Sequence, residues 1–245
     1  MENKETVLVT GGSGFIASHC IIQLAAAGYH VKATVRDLSR TNKLNQTLLN
    51  GLEKYEDISD LSVVWKVTNL SSDEGWDEAM AGCDYVLHVA SPITMQLPKD
   101  EDEMVKPAVE GTLRVLKAAS KAGVKRVVIT SSVAAIMYGT NKQGIFNEED
   151  WTDPKSKTTN VYAKSKTLAE QAAWKFMEQD TSGMELSTVL PAMVFGPILE
   201  EDFGVSVGAI LDMMNGKYPI VPKWDMGVVD VRAVSYTHLT LPTTR

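Results

Sequence analysis

The chain has no excess of basic charge, few cysteines and no long apolar run, and each shortage removes a class of function. A formal net charge of -7 over 245 residues supplies no basic face for counterion release, which excludes a general nucleic-acid binder. Any anion site must therefore be local. Only two cysteines occur, Cys20 in a helical pattern and Cys83 before a strand. They lack metal-ligand spacing and are too few for a disulfide framework, so reduced thiols in or near the core are expected. No uninterrupted apolar run approaches bilayer-spanning length, and Met1 to Glu5 leads into a strand without an apolar signal region. The expectation is a cytoplasmic protein with no membrane partner. Internal repeats, low-complexity linkers and hairpin signals are also missing. What remains, 44% apolar and 22% charged residues, suits one sizeable soluble domain or one domain plus part of another.

The most informative stretch is Thr6 to Ala17, where a short apolar strand runs through Gly11-Gly12-Ser13-Gly14 directly into a helix. Gly11 can take a tight backbone conformation and Gly14 lets the main chain approach a pyrophosphate. The helix then aims unpaired N–H groups and a positive dipole end at it. Ala17 fills the place of the third glycine in the dinucleotide fingerprint. Ile16, Cys20, Leu24 and Ala27 recur at helical spacing, and Gly28 closes the helix.

Strand patterns follow at His30 to Val35, Leu61 to Val67, Asp84 to Val89, Val124 to Thr130 and Glu185 to Leu190, which makes six in all. Between them lie helical patterns at Trp76 to Ala81, Glu103 to Ala122 and Val161 to Gln179. The second has Val105, Val109, Leu113 and Leu116 along one side and Gly123 at its end. Alternation of this kind predicts right-handed crossovers and an α/β, doubly wound parallel sheet. In such sheets ligands bind beyond the carboxyl ends of the strands, which directs attention to strand ends.

Where an NAD-preferring site carries an acid at the end of the second strand, this chain has Arg36, followed by Arg40 and Lys43. A guanidinium there would meet a 2′-phosphate with charge-assisted hydrogen bonds, which points to NADP; a solvated basic turn is the other reading. Asn69-Leu70 follows the third strand, and Asn69 could hydrogen-bond an adenine or serve as a turn residue. His88 is expected buried and hydrogen-bonded rather than catalytic, since no carboxylate or serine motif accompanies it. Thr130-Ser131-Ser132 closes the fifth strand on the edge of the glycine turn. Tyr162 and Lys166 project from one helix face, one turn apart. A lysine cation beside the phenol, with the positive nicotinamide of an oxidised cofactor close by, would lower the tyrosine pKa towards neutrality. Such a tyrosine can give its proton to a carbonyl oxygen that a serine hydroxyl holds in place.

Taken in order, Val35-Arg36-Asp37, His88 to Pro92, Ile129 to Ser132, Tyr162-x-x-x-Lys166 and Pro191 to Pro197 resemble the extended short-chain dehydrogenase/reductases. Within them the motifs are similar to the branch of dihydroflavonol 4-reductases and NADPH-dependent aldehyde and ketone reductases, from about Thr6 to Arg232. The resemblance implies a Rossmann domain, NADP(H) as cofactor and hydride transfer to the carbonyl of a small aldehyde or ketone. Ser132 would be the catalytic serine, with Ser131 the less favoured neighbour. Tyr162 would donate the proton, and Lys166 would tune it and hold the nicotinamide ribose. Gly11, Gly14, Phe15 and Ile16 would line the pyrophosphate turn, and Arg36 and Lys43 would grip the 2′-phosphate. Asn69, Leu70 and Ala90 would contact the cofactor, and Pro191 to Val194 would border the nicotinamide. Asn69 stands where aspartate is usual, which leaves the adenine contact open. A nucleotide-sugar epimerase or dehydratase is the alternative enzyme, disfavoured by Arg36. An NADP-sensing regulator is the non-enzymatic alternative, disfavoured by the retained Tyr162 and Lys166. Ile136, Met137 and Tyr138 are candidates for the substrate wall, and the two long helices could pair as a homodimer or simply cover the sheet.

The C-terminal run breaks the resemblance. After Val229-Asp230-Val231-Arg232 and Ala233, residues Val234 to Arg245 resemble a translated sequencing-library adapter and show no helical periodicity. The expected organisation is a nucleotide-binding domain over 1–195, a partial substrate lobe over 196–233 and a non-native tail over 234–245. A partial lobe would leave apolar surface exposed and the pocket open, with weak turnover.

Overall fold

A computed structural model of the chain describes residues 4–52, 61–92, 98–199, 204–217, 220 and 227–240. Strand β1 (Thr6–Val9) leads into α1 (Phe15–Ala26), β2 (His30–Val35), α2 (Thr41–Leu52), β3 (Val63–Val67), α3 (Trp76–Met80) and β4 (Tyr85–His88). Then come α4 (Asp102–Lys121), β5 (Arg126–Thr130), α5 (Val161–Met177) and β6 (Glu185–Val189). These six strands pair in parallel in the order β3-β2-β1-β4-β5-β6. The order reverses between β1 and β4, so the ligand crevice of this doubly wound sheet opens beyond their carboxyl ends. The expected strands are all present, with ends trimmed: Leu61 and Val124 lie just outside β3 and β5.

Both faces of the sheet are covered, which explains the nearly continuous apolar strands. Leu8, Val86, Val127 and Leu186 pack on one side with Trp76, Met80, Val115, Leu116 and Ala173 of α3, α4 and α5. Val7, Val9, Leu87 and Val128 pack on the other with Ile21, Leu24, Leu48 and Leu52 of α1 and α2. Each fully buried aliphatic chain contributes roughly 1.5–3 kcal/mol relative to exposure. The face α4 turns to this core differs from the expected one. Met104, Ala108, Gly111, Thr112, Val115 and Ala119 are buried with Leu116, whereas Val105, Val109 and Leu113 are half-buried. Small residues, not the largest ones, let α4 approach: a Cβ on Gly111 would sit 3.0 Å from the Leu70 Cβ. Cys20 and Cys83 are both buried and free, and no helix among the described residues is long and apolar enough to cross a membrane.

A second, two-stranded parallel sheet pairs β7 (Met193–Phe195) with β8 (Val228–Asp230), with α6 (Gly204–Met214) between them in sequence. Beyond residue 196 several apolar side chains face solvent, Met214 at 78% and Ile220 at 76% exposure. The run expected to lack a helix forms one, α7 (Val231–Thr240); residues 241–245 lie outside the described part. Its buried stripe is Val231, Val234, Ser235 and His238, the i, i+3, i+4, i+7 pattern of a packed helix with two polar members. Val231 and Val234 cluster with Val194, Phe15 and Ile16. His238 places Nδ1 2.7 Å from the Val234 carbonyl and Nε2 2.6 Å from the Thr130 hydroxyl of β5.

Burial pushes the His238 imidazole down to about 4 and, helped by the Lys166 charge, His88 down to about 3. Both rings are neutral in the fold while unfolded imidazoles titrate near 6.5, so the unfolded chain gains protons first as pH falls. Stability is therefore complete above about 6.5 and is lost towards about 4, by about 2 kcal/mol per ring between about pH 7 and about pH 5. Denaturant unfolding at those two pH values should show this loss, and His238→Gln should lose less; an unaltered pH dependence in the variant excludes His238 as a titrating group.

Candidate active site

The turn after β1 is built tightly enough to explain its glycines. Gly11 has φ +68, and a Cβ there would sit 3.0 Å from the Ala90 Cβ. Its N–H donates to the Thr34 hydroxyl at 3.1 Å, and the Gly12 N–H donates to the Thr34 carbonyl at 2.7 Å. Gly12 is the glycine the motif reading overlooks: a Cβ there would lie 2.7 Å from the Trp65 ring and 2.9 Å from the Ala33 Cβ. Gly14 caps α1 without a side-chain acceptor, so the first N–H groups of α1, from Phe15 and Ile16 onward, are available at the crevice. The side chains of Phe15 and Ile16 pack away towards Val194, Val231 and Val234, and Phe15 meets His19 edge-on at 5.6 Å. Ala90 donates its N–H to the Thr10 hydroxyl at 3.0 Å, which fixes the end of β4 beside this turn.

Arg36 follows β2 directly and is exposed, as are Arg40 and Lys43, on the same sheet edge as the glycine turn. Asp37 turns its carboxylate onto the Ser39 N–H at 2.9 Å, and that bond with the Ser39 hydroxyl holds it below the usual carboxylate range. Asn69 takes the turn role: its Oδ1 accepts from the Ser71 N–H at 3.0 Å and its carbonyl accepts from the Trp76 indole at 3.2 Å. Leu70 packs against α4 and lines the crevice wall. His88 is buried, with Nδ1 2.9 Å from the Thr10 hydroxyl, the bonded core position expected of it.

The end of β5 meets one face of α5. Asn160 caps that helix, accepting from the Ala163 N–H at 2.8 Å, and thereby sets its phase. Tyr162 and Lys166 come one turn apart, as the spacing predicts. The Ser132 hydroxyl lies beside the Tyr162 phenol and bears on its ionisation; it accepts from the Ala134 N–H at 3.1 Å. Lys166, only 7% exposed, donates to the Thr130 carbonyl at 3.1 Å. Ser131 points elsewhere: its hydroxyl donates to the Glu170 carboxylate. A small cavity of about 20 Å³ lies here, lined by His88, Thr130, Ser131, Lys166 and Glu170 among others. Pro191 accepts the Val133 N–H at 3.1 Å, and Val194 is buried in β7. Of the substrate-wall candidates, Tyr138 bears electrostatically on Tyr162, Ile136 is half-buried and Met137 is exposed.

The chain's own groups favour the protonated phenol. The Tyr162 phenol is pushed above its ordinary value, because burial outweighs the lowering by the neighbouring Ser132 hydroxyl. The lysine charge is not among the causes. Lys166 is itself pulled down to about 8 by burial, opposed by Glu170.

The family model described as the NAD dependent epimerase/dehydratase family matches residues 7–227, which span the glycine turn, the sheet and the Tyr162 helix. The chain belongs to that family. Dihydroflavonol 4-reductase of Arabidopsis thaliana is 38% identical over 205 residues, 81% of this chain and 52% of that protein. A cinnamoyl-CoA reductase of Medicago truncatula is 37% identical over 239 residues, 95% of this chain and 71% of that protein. Among solved structures, yeast methylglyoxal/isovaleraldehyde reductase Gre2 complexed with NADPH superposes with a TM-score of 0.81 at 29% identity, covering 96% of this chain and 73% of that one. The chain thus spans about half the length of the Arabidopsis relative.

As a family member the chain needs a dinucleotide cradle, and its residues fit one. Gly11 and Ala90 leave no room for a side chain at the turn, α1 begins without a side-chain cap, and exposed Arg36 stands at the end of β2. Among the described residues no group of three His, Cys, Asp or Glu could hold a metal ion.

Burying the Lys166 ammonium carries a cost that pH can reveal. Its folded value, about 8, lies below the ordinary 10.5, so the unfolded chain holds the proton more tightly and native stability rises with pH between the two. Lys166→Met removes that penalty. Its stability relative to the parent should fall by roughly 2 kcal/mol between about pH 7.5 and about pH 10. Chemical denaturation of both proteins at the two pH values measures it, and a pH-independent difference would mean the ammonium is not buried.

Proposed function

We propose that the chain is the catalytic part of an NADPH-dependent reductase acting on the carbonyl of a small aldehyde or ketone. The observation that carries this is the meeting of Ser132, Tyr162 and Lys166 at the end of β5, on the edge that holds the glycine turn. The reductase names of the relatives and the NADPH in the Gre2 structure support it. The uncapped start of α1 and the Gly11 turn would hold the pyrophosphate, and Arg36, with Lys43 nearby, the 2′-phosphate. Bound there, NADPH supplies hydride to the carbonyl carbon.

The chain's own residues handle the proton. A phenol pushed above its ordinary value keeps its proton at neutral pH and can release it to a carbonyl oxygen that gains negative charge. Ser132, beside the phenol, would hold the same oxygen and share that charge. Lys166, an ammonium at pH 7 with its value near 8, would hold ribose hydroxyls and leave a positive field beside the developing phenolate.

Turnover of a panel of aldehydes and ketones, followed by NADPH absorbance, tests the reading. Tyr162→Phe should lower the rate about 10²–10⁴-fold, the usual worth of a positioned general acid, and leave NADPH binding intact. Unchanged turnover would overturn the proton assignment. Arg36→Asp should weaken NADPH binding about ten- to a hundredfold, as loss of charged hydrogen bonds does, and shift preference to NADH. Retained NADPH preference would remove Arg36 from the 2′-phosphate site.

A further inference from the structure

One buried carboxylate beside the site has no task in the proton transfer. Glu170 is 2% exposed and follows Lys166 by one helical turn, as Lys166 follows Tyr162, so the three share one face of α5. Three consecutive residues at the end of β5 each engage one of them. The Ser132 hydroxyl meets the Tyr162 phenol, the Thr130 carbonyl takes the Lys166 ammonium, and the Ser131 hydroxyl donates to Glu170 Oε2. The second carboxylate oxygen accepts from Thr188 of β6 at 3.2 Å and from the Trp174 indole at 3.4 Å. A carboxylate at this depth is costly unless hydrogen-bonded and matched in charge.

We propose that Glu170 is a positioning residue of the active site: clamped by Ser131, Thr188 and Trp174, it supplies the fixed negative charge that keeps Lys166 an ammonium. This divides the labour of the two serines, since Ser131 aims Glu170 while Ser132 meets the phenol. The groups facing Lys166 can be named element by element. β4 brings His88, which is neutral; β5 brings the Thr130 carbonyl; α4 brings uncharged Ala108 and Thr112 to the shared cavity; α5 itself brings Tyr162 and Glu170. Of these, Glu170 alone carries negative charge. Its opposition to the burial of Lys166 agrees with the geometry. The link to catalysis rests on the reductase reading, but the link between Glu170 and Lys166 does not.

The experiment follows Lys166 directly. Lysine labelled with ¹³C at Cε is titrated by NMR, with the Lys166 signal assigned by its absence in Lys166→Met. Glu170→Gln keeps the shape and an acceptor but removes the charge, and should lower the Lys166 midpoint by about one pH unit or more, a tenfold loss of proton affinity. Glu170→Asp, with the charge withdrawn by one methylene, should fall between this variant and the parent. In turnover the alkaline limb of kcat should move down with the midpoint, whereas a purely structural loss would lower kcat equally at every pH. A Lys166 midpoint in Glu170→Gln equal to the parent's overturns the proposal. Should that variant not fold, an unshifted midpoint in Glu170→Asp overturns it equally. A parent protein without any carbonyl reduction would defeat the reductase reading and leave the Lys166 midpoint to decide this one.

Discussion

A buried ammonium is the demand around which the site is arranged. Lys166 enters the protein interior on α5, where burial favours its neutral form, and the surroundings must provide what water no longer does. The end of β5 does so at the point where its pairing with β4 has already stopped, at Ile129. There Thr130 gives its carbonyl to the ammonium, and the next two residues turn their hydroxyls onto the same helix. Consecutive strand side chains alternate between faces, so Ser131 and Ser132 can both reach α5 because β5 has ended at Thr130, whose own hydroxyl meets His238 of α7. The placement of the serines at a strand terminus is thus a geometric requirement of the contact with α5.

The same edge is shaped from its other side by close packing. Gly11 against Ala90, and Gly12 against Trp65 and Ala33, leave the turn after β1 no freedom to accept a side chain. Thr34 satisfies the N–H groups of Gly11 and Gly12, and Thr10 joins the ends of β1 and β4 by accepting from Ala90 and meeting His88. The main chain of the turn is held from within the sheet, and the start of α1 is left without an internal cap. A rigid, donor-rich edge of this kind suits a pyrophosphate because the donors are oriented before any ligand arrives.

Much of this was legible in the sequence because it is local. Strand–turn–helix patterns, closing glycines and the one-turn spacing of Tyr162 and Lys166 follow from chain periodicity, and the doubly wound parallel sheet follows from alternation. What escaped depends on partners distant in sequence. Glu170 looks like an ordinary solvated helix residue until Ser131 and Thr188 are placed beside it. Gly12 looks redundant until the Trp65 ring is seen above it. The apolar period of α4 points to its largest residues, whereas Gly111 and Ala108 are what permit the approach. In α7, two polar side chains occupy the buried stripe, and His238 counts as a core residue only because Thr130 and Val234 bond both its nitrogens. A period built from apolar residues alone cannot detect such a helix. The raised phenol of Tyr162 escaped for the same reason, since neighbouring charge can be inferred from spacing and burial cannot.

That burial also bears on the direction of the chemistry. Desolvation disfavours the charged form of both key groups, raising the phenol and lowering the ammonium. For carbonyl reduction the phenol must begin protonated, which is the form burial protects. For alcohol oxidation the same group would have to begin as phenolate, against the desolvation cost. On the reductase reading a phenol that begins protonated can deliver its proton when the carbonyl oxygen becomes basic. On that reading burial keeps the phenol in the protonated form that carbonyl reduction requires, and Glu170 is what lets Lys166 remain charged at that depth.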